Sequence, residues 1–306
     1  MPLDEKCIHY LRDIAFISTE DLGIGQDHYA QMPIPVIESN KLIVYFTSRD
    51  EINQSIPMNV EMVVSPNILV GSANSVPLEF GKDGSFDDSG IMLSSIIDGE
   101  LGQMIYYIGW NRSSNVPYRL SIGLATRTHY SDQFTKFSQG PIIDRSPSNP
   151  YFVTTPDITR IDGKYRMLLS SGTDWILHNE RKESIYSLVS ATSDDGINWD
   201  HFKHVNKSDS NLCVARPFRF GSHTYFSERS ALGFREKGFG YRIRATRNLE
   251  EPIQQNCELV WNSGGDDRDR AYASVIEFSR QRYIFYNGEQ FGKNGFHIAE
   301  EQIENR

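Results

Sequence analysis

The chain has 306 residues, 39% hydrophobic and 23% charged, which is enough apolar material for a large core and excludes a disordered chain. Forty Asp and Glu against 31 Lys and Arg leave a formal net charge of −9, arguing against a nucleic-acid backbone or an anionic membrane as the main partner. Cys7, Cys213 and Cys257 are too few and too scattered for a disulfide framework or a Cys-x-x-Cys zinc site. The N-terminal Met1–Lys6 carries acids where a signal peptide has bases, and no apolar stretch reaches membrane-spanning length. A cytoplasmic location without a membrane span is expected, with the oligomeric state open.

An isolated apolar run, Ile14-Ala15-Phe16-Ile17, comes first. After it one pattern recurs. Its clearest marker is a pair of large apolar residues: Tyr45-Phe46, Tyr106-Tyr107, Leu168-Leu169, Tyr225-Phe226 and Phe285-Tyr286, spaced by 61, 62, 57 and 60 residues. Each pair ends a short alternating run and is followed by small or polar residues. An apolar run precedes each pair: 32–37, 90–97, 153–159, 214–220 and 273–278. A second marker follows most pairs, as Gly123–Arg127, Val189–Ser193, Ile243–Arg247 and His297–Glu300, with Glu61–Ser65 a looser match. A fourth run falls around Phe137, Phe202 and Leu259-Val260.

Alternation with Gly, Asn, Asp and Ser punctuation denotes strands and hairpins rather than helices. A unit of four strands cannot bury both faces alone, so roughly 60-residue units must stack on one another. Five units packed radially predict an all-β, five-bladed β-propeller with four-stranded antiparallel blades, a single domain over 1–306. The Ile14–Ile17 run is expected to complete the last blade and latch the ring. The competing arrangement is a β-sandwich.

In a propeller the innermost strands converge on the axis, so polar residues at their beginnings and at the ends of the second strands are candidates for one site. Blade by blade these are His28, Gln31, Arg49 and Asp50; then Asp88, Trp110 and Asn111; then Asp174; then Arg216, Glu228 and Arg229; and finally Asp269 and Glu289. Arginine's planar fork suits carboxylate or phosphate oxygens, so Arg49, Arg216 and Arg229 suggest an anionic ligand. The alternative is that each pairs with a neighbouring acid, Arg49 with Asp50 and Arg229 with Glu228. Trp110, Trp175, Tyr118 and Tyr151 are candidates for stacking on sugar faces, and His297 reads as a core histidine. No metal-ligand spacing, phosphate-binding glycine loop, dinucleotide fingerprint or serine nucleophile elbow occurs, so neither metal nor cofactor is expected.

Five repeats of this length, with Phe86-Asp87-Asp88-Ser89-Gly90, Tyr107-Ile108-Gly109-Trp110-Asn111 and the turn Ser193-Asp194-Asp195-Gly196-Ile197-Asn198-Trp199, resemble the five-bladed propeller glycosidases. That superfamily includes arabinanases, β-xylosidases, invertases and mannoside phosphorylases. The resemblance implies acidic residues around a sugar held in the axial funnel: Asp88 as acid/base or orienting carboxylate, with Glu228 and Asp269 as further acids. Where those hydrolases open the first innermost strand with a carboxylate, this chain has Gln31, an amide that cannot act as a base. Phosphate needs no base to become a nucleophile, so phosphorolysis tolerates Gln31 better than hydrolysis does. The expected ligand is a carbohydrate or sugar phosphate. The expected activity is glycosyl transfer of hydrolase or phosphorylase type; the alternative is a non-catalytic glycan-binding or scaffold propeller in polysaccharide biosynthesis.

Overall fold

The computed structural model describes residues 10–128, 131, 133–205, 212–237, 240–249, 257–258, 260–261 and 269–302. These form five sheets around one axis. Strand β1 (Tyr10–Ser18) leads into blade I: β2 (Gln31–Glu38), β3 (Lys41–Arg49), β4 (Ser55–Val63) and the short β5 (Leu69–Val70) and β6 (Asn74–Ser75). Blade II holds β7 (Ile91–Gly99), β8 (Gly102–Arg112), β9 (Tyr118–Arg127) and β10 (Thr135–Lys136). Blade III holds β11 (Val153–Ile161), β12 (Lys164–His178), β13 (Arg181–Ser193) and β14 (Asp200–His204). Blade IV holds β15 (Leu212–Phe220), β16 (His223–Ser230), β17 (Arg242–Thr246) and β18 (Cys257–Glu258); β19 (Val260–Trp261) follows. Blade V holds β20 (Ala271–Phe278), β21 (Gln281–Asn287), the single turn α1 (Glu289–Gly292) and β22 (Gly295–Glu301).

Within each blade the strands run antiparallel in chain order from the axis outward. The ring is closed by β1, which pairs antiparallel with β22 from Leu11↔Glu301 to Ser18↔Gly295, so the first strand is the outer strand of the last blade. The latch expected of Ile14–Ile17 is therefore present. The fourth run at Leu259-Val260 is divided: β18 finishes blade IV, while β19 crosses to pair in parallel with β1. No helix among the described residues is long and apolar enough to cross a membrane.

The recurring apolar pairs explain how the blades hold together. Consecutive strand residues point to opposite faces, so two adjacent large residues feed two different inter-blade seams. Tyr45 packs between blades I and II and Phe46 between V and I; Tyr106 packs between II and III, with Tyr107 back between I and II. Tyr225 and Phe226 divide in the same way, as do Phe285 and Tyr286. The core is thus a ring of seams, one or more apolar clusters filling each.

Register shows how closely the repeats correspond. Each innermost strand carries a β-bulge, and the residue after it faces the first member of the apolar pair: Ile34↔Tyr45, Ser95↔Tyr106, Asp157↔Leu168, Phe218↔Tyr225 and Ser274↔Phe285. In blades I, III and IV the bulge is an Xaa-Pro step, Met32-Pro33, Thr155-Pro156 and Arg216-Pro217, where a residue lacking an N–H costs no ladder hydrogen bond. Met32, Thr155, Arg216 and Tyr272 have φ of 54°, 46°, 50° and 53°. Four non-glycine residues are thus held in the left-handed region at equivalent places beside the axis. Strain of this kind persists only where the surroundings impose it.

A ring of side-chain-to-backbone hydrogen bonds supplies that constraint, one at every seam. Met32 N–H donates to Asn287 Oδ1 (2.7 Å), Leu93 N–H to Thr47 Oγ1 (3.3 Å) and Ile158 N–H to Ser95 Oγ (3.1 Å). Arg219 N–H donates to Asp157 Oδ2 (2.8 Å) and Tyr272 N–H to Ser227 Oγ (2.9 Å). Amides freed by the bulges are satisfied across the seams, as buried N–H groups must be.

Candidate functional site

The bulges place Arg216 across the axis. It is 2% exposed and leaves blade IV to donate from Nη1 to the carbonyl and hydroxyl of Ser94 in blade II (2.6 and 2.9 Å) and from Nη2 to Ser274 Oγ in blade V (3.1 Å). Its Nε is buried with no hydrogen-bond partner among the described residues. Burial brings the guanidinium down to about 10, still charged at neutral pH. Asp157, half-buried, is pushed up to about 6 by desolvation, opposed by the field of Arg216 and by the Arg219 amide. Arg216 thus ties blades II, IV and V together beside the axis.

Arg229, at 3% exposure, lies among aromatic rings with all three nitrogens engaged. Nε donates to the hydroxyls of Tyr186 (3.1 Å) and Tyr241 (3.2 Å), Nη1 to the carbonyls of Ser230 (2.7 Å) and Ala231 (3.0 Å), and Nη2 to the carbonyl of Ser184 (3.0 Å). Its carbon head sits 3.8 Å from the Phe234 ring centroid. Arg49, the last residue of β3, is half-buried: Nε donates to Gln31 Oε1 (3.2 Å), Nη1 donates to Asn53 Oδ1 (2.7 Å), and the head lies 5.4 Å from the Tyr29 ring. Desolvation lowers its pKa.

These three arginines come from blades I and IV, and Tyr272 of blade V lies within electrostatic range of each. None of them forms an ion pair with a carboxylate among the described residues. Asp50 accepts the backbone amides of Ile52 (3.1 Å) and Gln54 (2.7 Å), and Glu228 accepts Arg244 Nε (3.0 Å), so the neighbour pairings expected for Arg49 and Arg229 are not formed. An aromatic wall completes the mouth. Tyr272, Tyr241 and Phe291 have ring centroids 5.6–5.7 Å apart, and Tyr118, Trp175 and Phe152 form a second group on blades II and III, with Tyr118 and Trp175 5.0 Å apart.

The candidate acids stand elsewhere. Asp88 closes a turn, accepting the Gly84 amide (2.9 Å) and the Ser89 hydroxyl (2.8 Å). Its neighbour Asp87 is the fully buried member of the pair, bound to Lys136 (2.6 Å) and to the Tyr107 hydroxyl (3.2 Å). The glycine of this segment has a packing reason: at Gly90, φ 145°, a Cβ would come within 2.5 Å of Trp110 Nε1 and 2.4 Å of Ser55 N. Trp110 donates to Ser55 Oγ (2.9 Å), and Asn111 donates to the Ser85 carbonyl; both fasten the start of blade II. Asp269 is buried and accepts the Tyr241 amide (3.0 Å). Asp174 is exposed at the side of the long β12–β13 hairpin. Glu289 opens α1, but its side chain lies outside the described residues. His28 sits at the rim with Nδ1 3.0 Å from the Arg49 carbonyl.

Of the residues expected at the axis, Gln31 and Arg49 are joined by a hydrogen bond (3.2 Å) and Arg216 spans blades II, IV and V, while Asp88 lies in a turn and Asp174 on an exposed hairpin. Sequence reasoning missed Tyr186, Tyr241, Tyr272 and Phe291, while Asp157 fell within the entry to the third blade. Tyr272 was within reach of a finer alignment, because it occupies the bulge step marked elsewhere by Met32-Pro33, Thr155-Pro156 and Arg216-Pro217. His297 lies between Phe16 and Tyr286 (ring centroids 4.7 and 5.0 Å), the packed histidine expected.

No protein-family model matches the chain. It is 27% identical over 303 residues to the uncharacterized protein Rv1502 of Mycobacterium tuberculosis, covering 93% of this chain and 96% of that one. Among solved structures it resembles an RGII complex of BT0996, with TM-score 0.63, 14% identity, and 92% and 89% of the two proteins covered. It also resembles a Bombyx mori GH32 beta-fructofuranosidase in complex with sucrose (TM-score 0.58, 16% identity, 92% and 63% covered). An exo-1,5-alpha-L-arabinanase from a bovine ruminal metagenomic library matches with TM-score 0.55 and 13% identity over 88% and 91% of the two proteins. The fold is that of the glycoside-hydrolase-like five-bladed β-propellers.

Proposed function

We propose that the axial mouth recognises an anionic carbohydrate, a sugar phosphate or a uronic-type sugar, and that glycosyl transfer there goes to phosphate rather than to water. The observation that carries this reading is that Arg49, Arg216 and Arg229, from blades I and IV, form no ion pair with a carboxylate among the described residues, in a chain whose net charge is −9. A buried cation without a paired counter-ion is costly, and an anionic ligand offsets that cost. The aromatic wall offers the apolar area that sugar faces stack upon. Sugar-bearing relatives of the fold, such as the fructofuranosidase with sucrose, support a carbohydrate as the ligand class.

Glycoside hydrolysis needs two carboxyl groups flanking the bond. Here Gln31 occupies the first innermost position, and Asp88 and Glu228 are committed to a turn and to Arg244. The same commitment favours a second reading, binding without turnover. Isothermal titration with inorganic phosphate and glucose 1-phosphate, alongside aryl-glycoside assays with and without phosphate, tests both. Arg49 is the arginine with capacity to spare, and charge-assisted hydrogen bonds contribute about 1.5–3 kcal/mol each. Arg49→Ala should weaken phosphate-ester binding by about tenfold to a hundredfold. Unchanged affinity would remove the anionic reading. Phosphate-dependent turnover selects the transferase, and binding alone selects the second reading.

A further inference from the structure

Beside the axial mouth lies an open cleft of about 510 Å³, bounded by the β1–β2 connection, the β3–β4 turn and β4. Its apolar lining is Ile24, Ile52, Ile56 and Met58, with Ser48, Glu51 and Ser75 also on its walls. Ile52 is 63% exposed at the tip of its turn, the second most exposed large apolar side chain among the described residues. The polar end of the cleft is His28 and Arg49. A carbonyl only accepts hydrogen bonds, so His28 Nδ1 carries the proton donated to the Arg49 carbonyl, and Nε2 is left as the ring's other polar atom. Arg49 uses Nε on Gln31 and Nη1 on Asn53, which leaves Nη2 without a hydrogen bond among the described residues. Asp50 also borders the cleft, but Oδ1 is held by its own turn amides.

Arg49 therefore belongs to two spaces at once. Through Gln31 and Tyr272 it borders the axial mouth, and its side also borders the apolar cleft. An anion on its free edge would have the cationic mouth on one side and a row of aliphatic side chains on the other. We propose that the cleft is a second subsite, which takes the apolar aglycone of the anionic carbohydrate whose charged part is held at Arg49. This inference rests on the anionic reading of the mouth and adds the other half of the ligand: an amphiphilic glycoconjugate, with an alkyl or aryl group laid over Ile52 and Ile56.

The test uses the full chain and five probes in isothermal titration: inorganic phosphate, methyl phosphate, hexyl phosphate, phenyl phosphate and the neutral hexyl β-glucoside. Fully burying one methylene is worth about fourfold in affinity. Partial burial along the open cleft should make hexyl phosphate about tenfold or more tighter than methyl phosphate. Ile52→Ser, at an exposed position where folding is not at stake, should abolish most of that gain and leave methyl phosphate unchanged; Ile56→Ser provides a second check. A gain for hexyl over phenyl phosphate assigns an alkyl aglycone, and the reverse an aryl one, both in support. Equal affinities for the methyl, hexyl and phenyl esters, or a chain-length gain indifferent to both substitutions, overturn the subsite while the anionic mouth stands. Binding of hexyl β-glucoside that depends on Ile52, with no phosphate binding at all, overturns the anionic mouth and keeps the apolar cleft. Silence from all five probes overturns both.

Discussion

Asp157 shows how one half-buried carboxyl beside the axis ties the fold to pH. Desolvation raises the Asp157 carboxyl to about 6, against the field of Arg216 and the Arg219 amide. A carboxyl that holds its proton more tightly when folded stabilises the fold most below its unfolded pKa, near 4, and that contribution is lost as pH rises through 6. Asp157→Asn keeps an acceptor for Arg219 but cannot titrate. The melting temperature of the wild type relative to Asp157→Asn should therefore fall between pH 4 and pH 6 and level off above pH 7. A flat difference across that range would mean that Asp157 does not titrate in the fold. Asp195 shifts the other way. The amides of Asn198 and Ile197 and the Asn198 and Ser193 side chains hold it down to about 2, although its slight burial pulls upward. Its contribution is present above pH 4 and fades only in strong acid, so it does not blur the window in which Asp157 acts. Arg229 is a different kind of residue: with five hydrogen bonds to Tyr186, Tyr241 and three carbonyls, it organises the aromatic wall.

The bulged innermost strand is the element on which the site depends, because it aims Met32, Thr155, Arg216 and Tyr272 at the axis in strained conformations. Each bulge is held from the neighbouring blade, and Ser227 holds the one at Tyr272. Ser227→Ala leaves a buried amide without its acceptor, at a cost of about 1–3 kcal/mol in chemical denaturation, and frees Tyr272, which lies within electrostatic range of the three arginines. A loss below about 0.5 kcal/mol would show that the bulge is held by its own strand. The strands themselves were legible in the sequence. Apolar pairs must recur once per blade because each second strand serves two seams, and those pairs fall on equivalent register positions throughout. The site was legible only in part. Gln31 and Arg49 stand where a strand beginning and a strand end put them, whereas Arg216 sits at a mid-strand bulge and Asp88-Ser89-Gly90 has the composition of a turn and serves as one. Tyr186 lies in the body of the long β13, Tyr241 just before β17 and Phe291 in a one-turn helix, places that no periodicity marks, and the Xaa-Pro bulges interrupt the alternation that identifies the strands.

At the scale of the whole molecule, stability depends on closure. Each blade buries its faces only against its neighbours, so a linear stack of five would expose two apolar faces at its ends; joining the ends removes both. The chain makes that joint with its own first strand. Seven residues of β1 are registered on β22, and Ile17 is buried in the cluster that also holds Phe46, Phe285 and Phe296 between blades V and I. The joint is noncovalent: ladder hydrogen bonds, the Ile17 contacts, the Phe16–His297 ring pair and the Arg12–Glu300 ion pair hold β1 to blade V. Opening it uncovers the faces of two blades, which makes the latch the point where local loss becomes global. Deleting residues 1–18 should therefore do far more than remove one outer strand. The expected result is a drop of more than about 10 °C in melting temperature, well beyond the roughly 2–4 °C that 1 kcal/mol moves a domain of 150–250 residues, and a broadened transition as blades V and I separate before the rest. Circular dichroism melts of the full and shortened chains would measure both effects. A shortened chain melting within about 2 °C of the full one, with an equally sharp transition, would show that the seam holds without its latch and that the ring is closed by side-chain burial alone.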